Sequence, residues 1–174
     1  MKTMRELMRK LPEKGEVRDI LRKFNRSPNV NGSPSSIRDL AISLGFDVLR
    51  RRLPPGMAGR LVQDTFAENG YRIEVNDQNS VQAQRWAVLH EIGHYFLHVD
   101  RNDPFGEPAY LDRSSAAFYL APREEREANE FAAVLLFGDG VLTGAKASCG
   151  SDVARLARYF GVSEYVIEIA LGQF

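Results

Sequence analysis

The stretch RWAVLHEIGHYFLH, residues 85–98, carries the pattern H-E-x-x-H as His90, Glu91 and His94. Apolar residues recur around it near helical spacing, which predicts one long helix over residues 80–99. Residues four apart on a helix share a face and lie about 6 Å apart along the axis, so two imidazoles can converge on one ion. Because zinc takes nitrogen ligands at about 2.0–2.1 Å, the stretch predicts a zinc site held by His90 and His94.

Glu91 stands beside His90, at the edge of the same helix face. From there its carboxylate can reach a water at the metal without being a ligand itself, which is what metal-assisted hydrolysis requires. The alternative is a buried structural helix whose histidines are satisfied by ordinary hydrogen bonds. The chain has only three histidines, and the third, His98, lies on the same helix, which favours the metal site.

A third protein ligand is needed to complete a catalytic zinc site. His98 lies about 12 Å along the helix from His90, too far for one ion to bind both rings together with His94. The longer pattern H-E-x-x-H-x-x-G-x-x-H also fails, because Leu97 and Asp100 stand where it requires Gly and His. A carboxylate from another element is therefore expected.

The source of that carboxylate is an acidic helix predicted at residues 122–138, which includes REEREANEFAAVLLF. Its apolar face has Glu124 near the middle and Glu127 at the edge, so periodicity alone does not choose between them. Asn129 is a candidate acceptor for the second nitrogen of a ligand histidine. The acids that this helix offers are Glu124, Glu125, Glu127 and Glu130.

The composition is that of an ordinary globular protein, with 44% hydrophobic and 26% charged residues among 174. Equal numbers of basic and acidic residues, 23 of each, give no global indication of nucleic acid or a membrane as partner. The local run at residues 50–52, three arginines, is interpreted as the solvated side of a strand. No apolar stretch approaches the roughly 20 residues of a membrane span.

Cys149 is the only cysteine, so an internal disulfide and a cysteine-based zinc cluster are both excluded. A single thiol fits the reducing cytosol. The first eleven residues alternate charged residues with Met and Leu and lack the apolar core of a secretory signal. These features predict a cytoplasmic protein.

The remaining segments predict short helices around a small sheet. Three strands joined by short loops indicate an antiparallel meander. The irregular residues 100–121 are interpreted as a functional loop such as a lid. The predicted segments are a broken helix at 1–26, a linker at 27–36, a helix from Ser36 to Gly45, strands at 46–53, 57–63 and 71–75, a flexible connection at 138–150, and helices at 152–160 and 164–171.

The fold class expected is therefore α+β, with a small three-stranded antiparallel sheet packed on the H-E-x-x-H helix and further helices at both ends. Three parts are expected: a helical extension and linker at 1–34, the metal-binding domain at 35–145, and a helical pair at 146–174. Side chains predicted for the core are Ile73, Val75, Trp86, Leu89, Phe131 and Leu135.

Over residues 35–172 the sequence resembles the ImmA/IrrE family of zinc metallopeptidases. The resembling stretches are RWAVLHEIGHYFLH, the downstream EREANEFAAVLL, the lead-in GRLVQDTFAENGYRIEVN and the last stretch LARYFGVSEYVIEIALG. The pairing of H-E-x-G-H with E-A-N-x-F-A is much more specific than either part. The resemblance implies a gluzincin-like site in which Glu127, directly before Ala-Asn, joins His90 and His94 on Zn²⁺ and Glu91 is the general base.

The resemblance also implies partners for the chain. Several members of the family cleave a helix-turn-helix transcriptional repressor, and others are paired with toxin–antitoxin-like modules. The alternative to cleavage is a zinc-bearing regulatory module that acts by binding, which the intact Glu91 disfavours. His98, Tyr95, Tyr71 and Tyr119 are candidate donors to the oxyanion formed during hydrolysis.

A third interpretation is DNA binding through residues 153–171, VARLARYFGVSEYVIEIAL, which have the rhythm of a helix-turn-helix. The second of the two helices carries Glu164 and Glu168 but no Lys or Arg. Because phosphate contacts need basic residues, no specific nucleic-acid binding is expected from this segment.

Overall fold

A computed structural model describes residues 3–11, 15–99 and 122–174. The helices within this part are α1 (Met4–Lys10), α2 (Val17–Arg26), α3 (Ile37–Ser43), α4 (Val81–His98), α5 (Pro122–Phe137), α6 (Val141–Cys149), α7 (Val153–Phe160) and α8 (Glu164–Gln173). The strands are β1 (Asn29–Val30), β2 (Ser33–Pro34), β3 (Asp47–Arg51), β4 (Gly59–Gln63) and β5 (Tyr71–Asn76). The α+β class is as predicted.

The three-stranded sheet is mixed, so the prediction of an antiparallel sheet is wrong. Strand β5 lies in the centre of the order β3-β5-β4, parallel to β3 and antiparallel to β4. The central position suits β5 because its last four residues, 73–76, are all buried, with Ile73 and Val75 at 0% and 2% exposure. The short loop between β3 and β4 suggested a hairpin, but β4 passes to the far side of β5 instead.

Helix α4 packs on this sheet through β4 and β5, and on α5 along its other side. Its N-cap is Ser80, whose hydroxyl accepts a hydrogen bond from the Ala83 N–H and so caps the first turn. Five of the predicted core side chains are buried. Trp86 is only partly buried, because it lies at the margin of the core beside α5.

Two connections predicted as irregular have regular structure. Within residues 27–36, β1 and β2 form a hairpin whose turn places Asn31 and Gly32 at positive φ, as an Asn-Gly turn does. The prediction of a flexible connection at 138–150 is wrong, since α6 occupies most of it. Its Leu142 and Ala145 are buried. Their burial stabilises the helix more than the low helix propensity of the neighbouring glycines destabilises it. The loop predicted at 100–121 lies outside the described residues.

The buried core runs without interruption through residues from all three predicted parts of the chain. Leu7 of α1, Leu21 of α2 and Phe160 of α7 are each 0% exposed. Within the described residues, no single helix has the length and hydropathy of a membrane span. The bent pair α5 and α6 meets those criteria only jointly. The fold therefore places α4 and α5 side by side at the centre, with helices from both ends of the chain around them.

Candidate metal centre

Helices α4 and α5 lie in close contact at Gly93, the glycine of the H-E-x-G-H motif. A Cβ atom at this position would lie 3.1 Å from the Ala128 carbonyl oxygen and 3.1 Å from the Phe131 Cβ. Such distances are shorter than most Cβ contacts, so any larger residue would push the two helices apart by a few tenths of an ångström. Ala128 is itself small and fully buried. The crossing brings the acidic first turns of α5 to the histidines of α4.

Three side chains converge where the helices meet: His90 and His94 of α4 and Glu125 of α5. The two Nε2 atoms lie 2.9 Å apart. The Glu125 carboxylate places Oε2 at 3.1 Å from the His90 Nε2 and Oε1 at 3.2 Å from the His94 Nε2. His94 is completely buried, and the side chain of His90 is 13% exposed. Two nitrogens and a carboxylate therefore share one small, largely enclosed space.

This donor set fits zinc in both chemistry and dimensions. Imidazole nitrogen and carboxylate oxygen are ligands that zinc prefers, and three protein ligands are what a catalytic site supplies. Bonds of about 2.0–2.1 Å at tetrahedral angles put ligand atoms roughly 3.3–3.4 Å apart. The separations of 2.9, 3.1 and 3.2 Å between the donor atoms lie just below that range. Small movements of the side chains would accommodate the ion.

The other ring nitrogen of His90 is held by Asn129. The His90 Nδ1 lies 3.1 Å from the Asn129 Oδ1, and the same oxygen accepts a hydrogen bond from the Trp86 indole N–H at 3.3 Å. An amide oxygen can only accept, so His90 donates from Nδ1 and keeps the lone pair of Nε2 for the metal. Asn129 thus lies where the sequence suggested a partner for a ligand histidine.

The other ring nitrogen of His94 leads into a chain of hydrogen bonds. The His94 Nδ1 lies 3.0 Å from the His98 Nδ1, and the His98 Nε2 lies 3.1 Å from the Glu127 Oε2. Glu127 also accepts a hydrogen bond from the Arg123 Nε at 3.1 Å. If Glu127 is ionised, His98 donates to it and accepts from His94, which again leaves the His94 Nε2 lone pair free.

The structure does not bring Glu127 to His90 and His94, the pair it was predicted to join. Its carboxylate turns to His98, and Glu125 occupies the place beside the two histidines. The sequence did contain a signal for Glu125. It precedes Asn129 by four residues, so both lie on one face of α5 and can reach the same histidine.

Glu91, the predicted general base, is buried at 2% exposure on the side of α4 that faces strand β4. A Cβ atom at Gly59, the first residue of β4, would lie 3.5 Å from the Glu91 Cγ.

Among the candidate oxyanion donors, Tyr95 packs edge-on against Phe46 and Tyr71 in the core. Tyr119 lies outside the described residues.

Glu125 and the two histidines stabilise each other's charged forms. Burial alone would lower the pKa of His90, but the hydrogen bond to the Glu125 carboxylate and the nearby charge of Glu91 raise it. Burial would raise the pKa of Glu125, yet its hydrogen bonds to His90 and His94 hold it well below the usual carboxyl range. Such a site favours a bound cation, whether a proton or a metal ion.

An apolar groove of about 830 Å³ opens beside the candidate metal site, here called the metal cluster, which consists of His90, His94 and Glu125. Its wall on the metal side includes Trp86, Glu125 and Asn129, and its far wall belongs to α8. On α8, Tyr165 and Ile169 are exposed at 69% and 43%, which leaves apolar surface facing solvent next to the site.

Comparisons with known proteins identify the family of the chain. The chain is 30% identical over 119 residues, 68% of its length, to the metallopeptidase ImmA of Bacillus subtilis strain 168. The aligned region spans 65% of the length of that relative. A family model described as the IrrE N-terminal-like domain, of a peptidase family, matches residues 42–171. The match covers most of the chain and includes all of α4, α5 and the cluster between them. The chain therefore belongs to the peptidase family of the IrrE N-terminal-like domain.

Proposed function

We propose that the chain is a zinc-dependent metallopeptidase that hydrolyses a peptide bond in a protein partner. The observation that carries this proposal is the convergence of the His90 and His94 Nε2 atoms with the Glu125 carboxylate, beside the buried Glu91. Family membership and the metallopeptidase name of the relative support it.

The proposed ligands are His90, His94 and Glu125, with Glu125 in place of the Glu127 that the resemblance implied. Asn129 and His98 act as positioning residues, because each holds the second nitrogen of one ligand histidine. Glu127 then serves as the acceptor that orients His98. Groups that orient ligands in this way usually change metal affinity by about 10–100-fold when removed.

In the proposed reaction, bound zinc supplies Lewis acidity that polarises the scissile carbonyl and makes water more acidic. Glu91 takes the proton of the attacking water and delivers it to the leaving amine, so the proton is conserved over the cycle. The burial of Glu91 excludes bulk solvent from this transfer. The apolar groove lined by Trp86 and Ile169 receives apolar side chains of the substrate.

The protein partner is proposed to be a helix-turn-helix repressor or an antitoxin-like protein, as the resemblance implies. The exposed apolar residues of α8 suit such a partner, because they supply hydrophobic area next to the metal cluster. Tyr165 and Ile169 would then contact substrate away from the bond that is cut.

The proposal is tested with Glu91→Gln, which keeps the size of the side chain but removes the base. Zinc-loaded wild type is incubated with a proteome-derived peptide library, and new peptide termini are identified by mass spectrometry. The variant is expected to bind zinc at wild-type stoichiometry and to form new termini about 10²–10⁴-fold more slowly.

Equal cleavage by both proteins would contradict the role of Glu91. No cleavage by zinc-loaded wild type, of either the library or folded repressor proteins, would favour a zinc-bearing module that acts by binding.

A further inference from the structure

The N-terminal helices carry a net positive charge, which the net negative charge of the remaining chain balances. Residues 1–26 contain nine Lys and Arg against four Asp and Glu, whereas the whole chain is neutral. This segment lies outside the region that matches the family, which begins at residue 42. The positive charge is therefore concentrated on a part of the molecule that the peptidase chemistry does not use.

Most of this charge faces one groove of about 470 Å³ between α1 and α2. Arg18, Arg22 and Arg26 follow one another at intervals of four on α2, so they form a row with steps of about 6 Å. Two further arginines, at the same interval on α1, line the other side. The guanidinium groups lining the groove belong to Arg5, Arg9, Arg18, Arg22 and Arg26.

The described residues leave the charge of this row largely uncompensated. None of the five guanidinium groups forms an ion pair with a described acidic residue. Among the described residues that line the groove, the acidic one is Asp139, which accepts a hydrogen bond from the Met4 N–H. Arg18 donates to the Leu11 carbonyl, which fixes its position between the two helices. Like charges gathered this closely repel one another, so an anionic ligand would relieve that repulsion.

We propose that this arginine groove binds the phosphate backbone of duplex nucleic acid without reading its sequence. Guanidinium groups bind phosphate oxygens in a bidentate manner, and a row of them can contact successive phosphates. No aromatic side chain among the described residues lines the groove, so they offer no platform for stacking on the bases of a single strand. The acidic helix α8 contributes no residue to this groove and is not part of the proposed nucleic-acid site.

The geometry of α1 disfavours an anionic membrane as the ligand. A helix that binds a bilayer surface keeps its apolar face free for insertion. The apolar residues of α1 are instead buried in the protein core, with Leu7 at 0% and Met8 at 5% exposure. None of the three clustered residues His90, His94 and Glu125 lines this groove, whose lining includes Asp139 just beyond the C-terminal end of α5.

The test measures binding of the full chain to a fluorescein-labelled 20-base-pair DNA duplex of mixed sequence, by anisotropy, between 50 and 200 mM NaCl. If four or five phosphates are neutralised, log K should fall with log salt with a slope of about −3.6 to −4.5. Arg22→Gln with Arg26→Gln should reduce the magnitude of the slope by about 2. Both side chains are exposed, so the variant is expected to fold.

The matched control is Arg50→Gln with Arg51→Gln, which removes the same charge from the exposed edge strand β3. Its slope should equal that of the wild type. No binding at 50 mM salt would overturn the proposal, as would equal effects of the two double variants. Binding to vesicles containing phosphatidylserine without binding to the duplex would identify a membrane ligand and overturn it too.

Discussion

At the scale of single residues, Glu125 and Glu127 differ in role because of where they stand on α5. Two positions on a helix correspond to a rotation of about 200°, so the two carboxylates flank Ala128, where α4 crosses, on opposite sides. Glu125 reaches back to His90 and His94, while Glu127 reaches His98, one turn further along α4. Both acids thus serve the same pair of helices, but only one lies at the metal cluster.

This difference predicts unequal effects on zinc affinity when each acid is changed to glutamine. Glu125→Gln removes a proposed ligand charge and should weaken zinc binding by more than about 100-fold, beyond the range of residues that only orient ligands. Glu127→Gln keeps an acceptor for His98, so a loss of about tenfold is expected. Competition titrations against a zinc chelator, starting from metal-free protein, measure both.

His98→Gln is the control that separates the two assignments. If Glu127 acts through His98, this variant and Glu127→Gln should each lower affinity, and the double variant should lose little more. If Glu127→Gln abolishes zinc binding while Glu125→Gln preserves it, Glu127 is the third ligand, as the resemblance implied.

At the scale of elements, the crossing of α4 and α5 depends on the missing side chain of Gly93. Gly93→Ala gains about 1 kcal/mol of helix propensity but overpacks the contact with Ala128, at a cost of about 1–3 kcal/mol. We expect a net loss of stability in chemical denaturation, together with weaker zinc binding, because α5 has to move away. Gly144→Ala in α6, where a Cβ atom meets nothing within 4 Å, is the control and should not destabilise.

The sheet contains a buried carboxylate with two cationic partners, which makes its stability depend on pH. Glu74 of the central strand forms ion pairs with Arg60 at 2.7 Å and Arg72 at 2.9 Å. Burial would raise the pKa of Glu74, but the hydrogen bonds from Arg60 and Arg72 hold it below the ordinary value of 4.5. The charged form is therefore favoured in the folded state.

Because the folded pKa is lowered, this contribution is fully present above about pH 5 and is lost as the pH falls below 4.5. Glu74→Gln should lower the free energy of unfolding at pH 7 by about 1–3 kcal/mol. The difference from wild type should shrink towards pH 3 in urea titrations. Glu68→Gln, at an exposed position, is the control, and a difference that does not vary with pH would contradict the expectation.

At the scale of the whole molecule, the N-terminal helices share a core with the family domain. Leu7 of α1 is completely buried, and α1 packs on α5. Leu7→Ala should therefore lower the free energy of unfolding of the entire chain by about 2–5 kcal/mol and shift one cooperative transition. Leu49→Ala, at a position 37% exposed, is the matched control and should cost less than about 1 kcal/mol. Two separate transitions would instead identify residues 1–34 as an independent unit.

The sequence by itself determined those features that depend on neighbours along the chain. Ser80 caps α4, and the spacing of four places His90 and His94 on one face with Glu91 beside them. These are local consequences of helical geometry and backbone hydrogen bonding. They were sufficient to predict a metal site as a hypothesis, whereas the family was indicated by the resemblance of longer stretches of sequence.

Only the tertiary structure decided which distant groups meet. The third acidic position depends on the angle and depth at which α5 crosses α4, which the contact of Gly93 with Ala128 sets. The order of the sheet depends on which strand buries most apolar surface, so β5 lies between two strands that precede it. Periodicity describes one element at a time, whereas packing depends on the shapes of two surfaces together. For that reason the spacing of His90 and His94 could be read from the sequence, while the approach of Glu125 to them is decided by the packing of α5 on α4.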